Sequence, residues 1–143
     1  MPLTDKLSDV AVYMQTRLEA LGTFQDVFFG DQELIPRYPA ASVEPVQMSR
    51  DFAGLPFQTL NNFSIYVHIY FGTIGDTQAS ELACGQYAEQ VLDYLHQDPQ
   101  MGDLVTYAFA RRYEMGQAVR NNNQLLRACR ISWEAVNKTG VGQ

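Results

Sequence analysis

An alternation of apolar and polar residues occupies the middle of the chain, from Asn62 to Phe71. Successive side chains of a β-strand point to opposite faces, so this alternation predicts a strand with one buried face. The apolar face carries Phe63, Ile65, Val67, Ile69 and Phe71, and the second face carries Ser64, Tyr66, His68 and Tyr70. Tyrosine and histidine combine an apolar body with a polar tip, which suits a surface that another subunit covers. The second face is therefore a candidate subunit contact.

Two segments have apolar residues at helical spacing. From Leu7 to Leu21 the apolar positions recur three or four residues apart, and Gly22 follows as a helix stop. The same spacing predicts a second helix that begins at Asp76 or Thr77 and ends near His96. Each helix is expected to pack its apolar face on the core.

Four further segments have the composition of strands. Phe24 to Phe29 is rich in aromatic residues, and Ala40 to Val46 can be extended. Pro45 removes a donor from the ladder, so it indicates a strand end or a sheet edge. The segments Leu104 to Tyr113 and Leu125 to Val136 are predicted to form a β-hairpin.

Three stretches have no clean period. Residues 47–61 are predicted to form a long loop, residues 114–124 the tip of the hairpin, and residues 137–143 a flexible tail. The loop has apolar side chains that suit contact with a partner or packing back on the domain's own core. These are Met48, Phe52, Leu55 and Phe57.

The predicted order of elements is α-β-β-β-α-β-β. Runs of strands between single helices indicate an α+β domain, in which an antiparallel sheet has two α-helices packed on one face. A chain of 143 residues is long enough to bury one core, so residues 1–143 are expected to form a single domain.

Charge is divided unevenly along the chain, whose net charge is −6. Residues 1–103 contain 14 acids and 4 bases, whereas residues 104–143 contain 2 acids and 6 bases. The acidic balance argues against a dedicated nucleic-acid binder, and opposite charge in two regions would serve self-association. No apolar run reaches the roughly 20 residues of a membrane-spanning helix, and no targeting signal is recognisable, so we expect an intracellular protein without a membrane partner.

Residues that could carry chemistry are few. Cys84 and Cys129 lie far apart in apolar surroundings, without other ligands at metal-binding spacing, and are expected to be buried thiols. Ser64 and His68 share a strand face but lie roughly 13 Å apart, too far for a nucleophile and its base. We therefore expect no catalytic residue, no cofactor and no metal.

The predicted hairpin has five arginines, and three interpretations of them are open. They form a solvated strand face, or they make salt bridges to a neighbouring subunit, or they contact phosphate. Tyr107, Phe109 and Arg111 share one face, which would suit stacking on a base, but the ribonucleoprotein-type consensus is absent. The five are Arg111, Arg112, Arg120, Arg127 and Arg130.

Nearly the whole chain resembles the tail-terminator family of tailed bacteriophages. The similarity is one of architecture, without a short diagnostic motif. It lies in the opening helix through Leu21, the strand from Pro39 to Val46, the long loop, the strand from Phe63 to Phe71, the helix from Asp76, and the hairpin from Leu104 to Val136.

The resemblance implies a structural protein of the virion tail or neck, made in the host cytoplasm, and not an enzyme. It implies a homo-oligomeric ring, usually of six copies, with a sheet-based interface. Its partners would be the tail tube protein and the head connector or head-completion protein. DNA would pass through the lumen without sequence-specific binding.

On this basis we expect the basic hairpin of one copy to meet an acidic surface of its neighbour, as the heterologous contacts of a ring require. Two alternatives are a ligand-binding adaptor that uses loop 47–61 as a lid, and a small enzyme that assembles carboxylates from Asp51, Asp76 and Glu44. The candidate interface residues are Tyr66, His68, Tyr70, Phe52, Arg111, Arg127 and Arg130.

Overall fold

The computed structural model of the chain describes residues 6–30, 34–52, 58–73, 77–120 and 124–140. Within these residues there are two helices and five strands, in the predicted order. They are α1 (Leu7–Leu21), β1 (Asp26–Phe29), β2 (Ala40–Phe52), β3 (Gln58–Thr73), α2 (Thr77–Leu95), β4 (Tyr107–Arg120) and β5 (Gln124–Gly140).

The five strands form one sheet in the order β1-β2-β3-β5-β4. The pairs β2–β3, β3–β5 and β4–β5 are antiparallel, and the α+β class is confirmed. The predicted antiparallel sheet has one exception, because β1 pairs parallel with β2 from Asp26↔Ala40 to Phe29↔Val43. A parallel pair needs a return of the chain to the same end of the sheet, and the ten residues or so between β1 and β2 allow that return.

Both helices pack on one face of the sheet, as predicted. The alternation of β3 directs its apolar side chains to this face, where they meet the apolar stripes of the helices in one cluster. Each large side chain buried there stabilises the fold by about 1.5–3 kcal/mol. The cluster includes Val10, Ala11, Met14 and Leu18 of α1, Ala88, Val91 and Leu95 of α2, and Phe63, Ile65, Val67 and Ile69 of β3.

A second, smaller cluster lies on the opposite face of the sheet. Ile35, from the segment before β2, is buried there together with Ala40, Tyr70 and Leu126. The half-buried Tyr38 packs against the same cluster. The chain therefore covers one end of this face itself.

The long loop expected at residues 47–61 is largely strand. β2 continues to Phe52 and pairs with β3 from Gln47↔Ser64 to Phe52↔Thr59. A bulge between Pro45 and Gln47 lets the proline lie inside the strand, because the extra residue already interrupts the ladder. This segment shows no apolar period, and the side chains of Gln47, Met48 and Arg50 are exposed.

The hairpin is also longer than its apolar pattern indicated. Residues 114–120 and residue 124, expected in a tip, belong to β4 and β5, and residues 137–140, expected in a tail, belong to β5. Side chains from Arg111 to Gly116 are all exposed, so this part of β4 has no buried face for a pattern to report. Backbone pairing with β5 holds it in place.

Cys129 is a buried thiol in the main core, as expected. The Cys84 side chain lies outside the described residues.

Candidate functional site

The face of the sheet opposite the helices is the candidate site, and we call it the open face. Strand register brings polar residues of four strands side by side on it. Glu44 is opposite Tyr66, which is opposite Ser132, which is opposite Arg112. In the adjacent row His68 is opposite Arg130, which is opposite Glu114. The alternation of β3 thus places its second face in the middle of a polar surface.

Arg130 is at the centre of the open face. Its guanidinium donates a hydrogen bond to Glu114 Oε1 at 2.9 Å and lies 4.5 Å from the centroid of the Tyr66 ring. The Tyr66 ring in turn meets the His68 ring edge-on at 5.9 Å, and His68 Nε2 lies 3.4 Å from Glu44 Oε1. Cations are attracted to the faces of aromatic rings, so charge and aromatic surface stabilise one another across the strands.

A bulge in β4 between Ala110 and Arg112 sets the position of Arg111. Neighbouring residues of a regular strand point to opposite faces, but a bulge redirects side chains. Arg111 and Arg112 therefore both point to the open face. One guanidinium nitrogen of Arg111 donates to both carboxylate oxygens of Glu134, at 3.0 and 3.1 Å. Arg112 Nε lies 3.4 Å from Glu114, which therefore serves two arginines.

The ion pair between Arg130 and Glu114 shifts the pKa of both groups. The hydrogen bond from Arg130, with the charge of Arg112, lowers the pKa of the Glu114 carboxyl. The same hydrogen bond raises the pKa of Arg130. Both groups remain charged at neutral pH, so the arginines of the open face are largely neutralised by carboxylates of their own chain.

A shallow depression of about 390 Å³ lies on the open face between β2 and β4. Its polar groups are two arginines, a glutamate, two serines, a glutamine and a tyrosine phenol. Because the arginines are already paired with carboxylates, the depression has little net charge for an anion to bind. Its lining includes Val46, Gln47, Ser64, Tyr66, Arg111, Arg112, Ser132 and Glu134.

The described residues contain neither a cluster suited to a metal ion nor a helix suited to a membrane. No group of three or more histidine, cysteine, aspartate or glutamate side chains among them is arranged to hold a metal ion. Neither helix in the same ranges is long and apolar enough to cross a membrane.

Five of the seven predicted interface residues lie on the open face, and four of them are in its exposed part. Tyr66, His68 and Arg130 form its central cluster, and Arg111 lies beside them. The structure therefore brings together residues that are widely separated along the chain. Each of the three arginines of this face is also within ion-pair distance of a carboxylate of the same chain, which favours the interpretation as a solvated strand face.

Tyr70 is not available for the subunit contact that was predicted for it. It was expected beside Tyr66 as a subunit contact, but only 1% of it is exposed. The segment that contains Ile35 and Tyr38 packs over it, and the chain's own residues occupy the surface that a partner would need. Sequence alternation placed Tyr70 on the correct face of β3 but could not show that this end of the face is covered.

Arg127, predicted together with Arg130 as an interface residue, does not share the open face with it. It lies on β5 at an odd position, like the buried Cys129, and therefore points to the helix face. It is half-buried there. Phe52 is the last residue of β2, and its side chain lies outside the described residues.

Of the carboxylates of the open face, only Glu44 was named from the sequence, as part of the alternative enzyme site, and Glu114 and Glu134 were not singled out. Glu44, Glu114 and Glu134 lie on three different strands, and each meets its partner only through strand register. The even positions of β5, Arg130, Ser132 and Glu134, do alternate with buried residues. That alternation was a usable signal for a polar face on this strand.

No protein-family model matches the chain, and no curated protein matches it in sequence. The geometry and charge of the folded chain are therefore the basis for assigning a function.

Proposed function

We propose that this chain is a structural virion protein that assembles head to tail into a ring, like the phage tail terminators it resembles. The ring would cap the tail tube and join it to the head connector, and DNA would pass through its lumen. The observation that carries the proposal is the separation of charge in the folded chain. A subunit with opposite charge on two different surfaces favours contact between unlike surfaces of successive copies.

Strands β4 and β5 contain most of the bases, at one edge of the sheet. Residues 104–143, which include both strands, have 6 bases and 2 acids, whereas residues 1–103 have 14 acids and 4 bases. Many of these acids lie on the two helices and on β1, which are in other parts of the fold. The only two acids of residues 104–143, Glu114 and Glu134, form ion pairs with arginines of the open face. Residues 104–143 have a formal net charge of +4, which favours contact with an acidic surface of a neighbour.

The exposed part of the open face supports the same proposal. Tyr66 and His68 are half-buried side chains with apolar bodies and polar tips, which are enriched where proteins meet. The arginines and carboxylates around them satisfy one another, so the surface suits binding more than acid–base chemistry. An acidic surface turned to the lumen would repel phosphate and let DNA slide.

Charge reversal at Arg130 tests the proposal. Light scattering on a sizing column at low salt is expected to give about six times the 16.2 kDa mass of one chain. Arg130→Glu is expected to weaken assembly at least tenfold in concentration, because it lowers the net charge of residues 104–143 from +4 to +2 and places a carboxylate beside Glu114. Added salt is expected to weaken assembly of the native chain as well.

Arg37→Glu is the matched control. Arg37 is an exposed arginine that is paired with Asp26 in the acidic part of the chain, so its reversal also costs one surface ion pair. We expect this variant to assemble as the native chain does. A native chain that is monomeric at low salt and millimolar concentration, or equal loss in both variants, would refute the proposal.

A further inference from the structure

β4 is the edge strand of the sheet, and much of its outer side is uncovered. The Ala110 amide donates to His96 Nε2 at 3.4 Å, so the helix end covers the strand at its bulge. Beyond the bulge, from Arg112 to Arg120, no other strand among the described residues lies beside β4. An edge strand presents a row of backbone donors and acceptors that can pair with another chain.

β2 has a second uncovered edge at the other side of the sheet. β1 pairs only with Ala40 to Val43. From Glu44 to Phe52 no strand in the described ranges lies on that side of β2. Each uncovered edge is about nine residues long, or roughly 30 Å at 3.4 Å per residue. The two edges therefore match in length.

Strand direction makes these two edges complementary. β2 is antiparallel to β3, β3 to β5, and β5 to β4, so β2 and β4 run in opposite directions. The two uncovered segments lie at opposite ends of the sheet, because Glu44 and Arg112 are level with each other and β2 and β4 run away from that level in opposite directions. If a second copy is placed beside the first in the same orientation and displaced along the strands by about eight residues, or roughly 27 Å, the uncovered segment of its β2 lies antiparallel to that of β4 of the first. The sheet can then continue from one copy to the next with the pairing pattern that it already has.

We infer that the outer edge of β4, from Arg112 to Arg120, pairs with the outer edge of β2, from Glu44 to Phe52, of a second copy of this chain. The inference rests on the proposed function, for which it supplies the contact between successive subunits. The partner surface is different from β4, so the contact is heterologous and can repeat around a ring.

Exposed apolar side chains occur on matching faces of the two edges. Met48 is opposite Phe63, and Tyr113 is opposite Ile131, so both point to the helix face. Met115, opposite the buried Cys129, points there too. Met48 is 38% exposed, Tyr113 42% and Met115 44%. In a continued sheet they would lie side by side and cover one another.

Charge favours β2 of the second copy, and not its β4, as the strand that pairs with the outer edge of β4. β4 contains three arginines and one glutamate, whereas β2 contains one arginine and two acids. Pairing of β4 with β4 across a two-fold axis would bring two basic strands together, and like charges on paired strands are destabilising. Pairing with β2 brings opposite net charges together.

Cysteine cross-linking tests the inference. We would prepare Met48→Cys and Met115→Cys as separate variants, oxidise each alone and as an equal mixture at low salt, and separate the products on a non-reducing gel. The expected result is a cross-linked dimer that forms in the mixture at least tenfold more than in either variant alone. Val12→Cys, an exposed position on α1, is the matched control for random collision, and the native chain controls for its own cysteines.

Two results would overturn the inference. A dimer of Met115→Cys alone would show that β4 pairs with β4, and a mixture that cross-links no more than Val12→Cys would show that these edges do not meet. Light scattering on the same samples separates this failure from failure of the proposed function. Rings without the cross-link would leave the proposed function standing and reject this edge contact.

Discussion

Two tyrosines on one face of β3 differ in burial, and by our proposal only one of them contacts a neighbouring subunit. Tyr70 is almost fully buried against Ile35 and Leu126, whereas Tyr66, four residues away on the same face, is half-buried below Arg130. Truncation of a buried large aromatic side chain to alanine costs about 3–5 kcal/mol of unfolding free energy. For a domain of this size that loss lowers the melting temperature by roughly 10 °C. Tyr66→Ala loses a partly exposed cation–π contact and some burial, which we expect to cost about 1 kcal/mol.

Urea unfolding followed by circular dichroism measures both losses. Dilute protein at high salt should be used, so that subunit contacts do not add to the stability of the chain. The midpoint is expected to fall much further in Tyr70→Ala than in Tyr66→Ala, with little change in the slope. In the assembly assay, with each variant kept in conditions where it stays folded, Tyr66→Ala should weaken assembly more than Tyr70→Ala does. A cost below about 1 kcal/mol for Tyr70→Ala would refute the packing of the segment around Ile35 over this face.

Three further predictions follow from local contacts. The Tyr13 hydroxyl donates to Asp98, and burial with this contact raises the pKa of Tyr13 from 10.0 to about 12. Stability should therefore fall as pH rises from about 10 to about 12, because the unfolded phenol ionises first, and Tyr13→Phe should remove that part of the pH dependence of urea unfolding. Gly102→Ala should cost about 1 kcal/mol or more in the same assay, because Gly102 has φ +64° and an added Cβ would lie 3.0 Å from the Tyr13 ring; an unchanged midpoint would contradict this. Glu114→Gln should raise the salt needed to elute the chain from heparin, since it removes the carboxylate that neutralises Arg112 and Arg130, and elution at the native salt concentration would contradict their neutralisation.

Elements that pack against the core were predictable from the sequence. The period of α1 and the alternation of β3 arise because one face of each must be buried, and both elements lie in the single main cluster. The helix stop at Gly22 also has a local cause, since Gly22 adopts φ 77° and its amide bonds to Glu19 O. An element with one buried face thus has an apolar period by which it can be recognised in the sequence.

Features that depend on distant pairing were not predictable. The side chains of Gln47, Met48 and Arg50 on β2, and of residues 111–116 on β4, are exposed, so these segments lack an apolar period. Backbone pairing with β3 and β5 holds these segments, and that pairing leaves no trace in residue type. The burial of Tyr70 and the pairing of Arg130 with Glu114 likewise depend on which strands become neighbours.

Strand extension also changes which surface is available to a partner. A loop at 47–61 would have offered a flexible lid, but the paired segment from Gln47 to Phe52 offers a strand edge instead. The segment from Gln47 to Phe52, which the adaptor alternative would use as part of a lid, is a paired strand. The exposed edges of β2 and β4 become the surfaces through which copies of the chain can meet.

Electron microscopy of the purified chain tests the ring most directly. At low salt and high concentration, negative-stain images are expected to show closed rings of about six subunits, each with a central lumen. Rings should disappear in Arg130→Glu and persist in Arg37→Glu. A field of single compact particles in the native chain under these conditions would contradict the central claim that this protein is a ring-forming structural subunit.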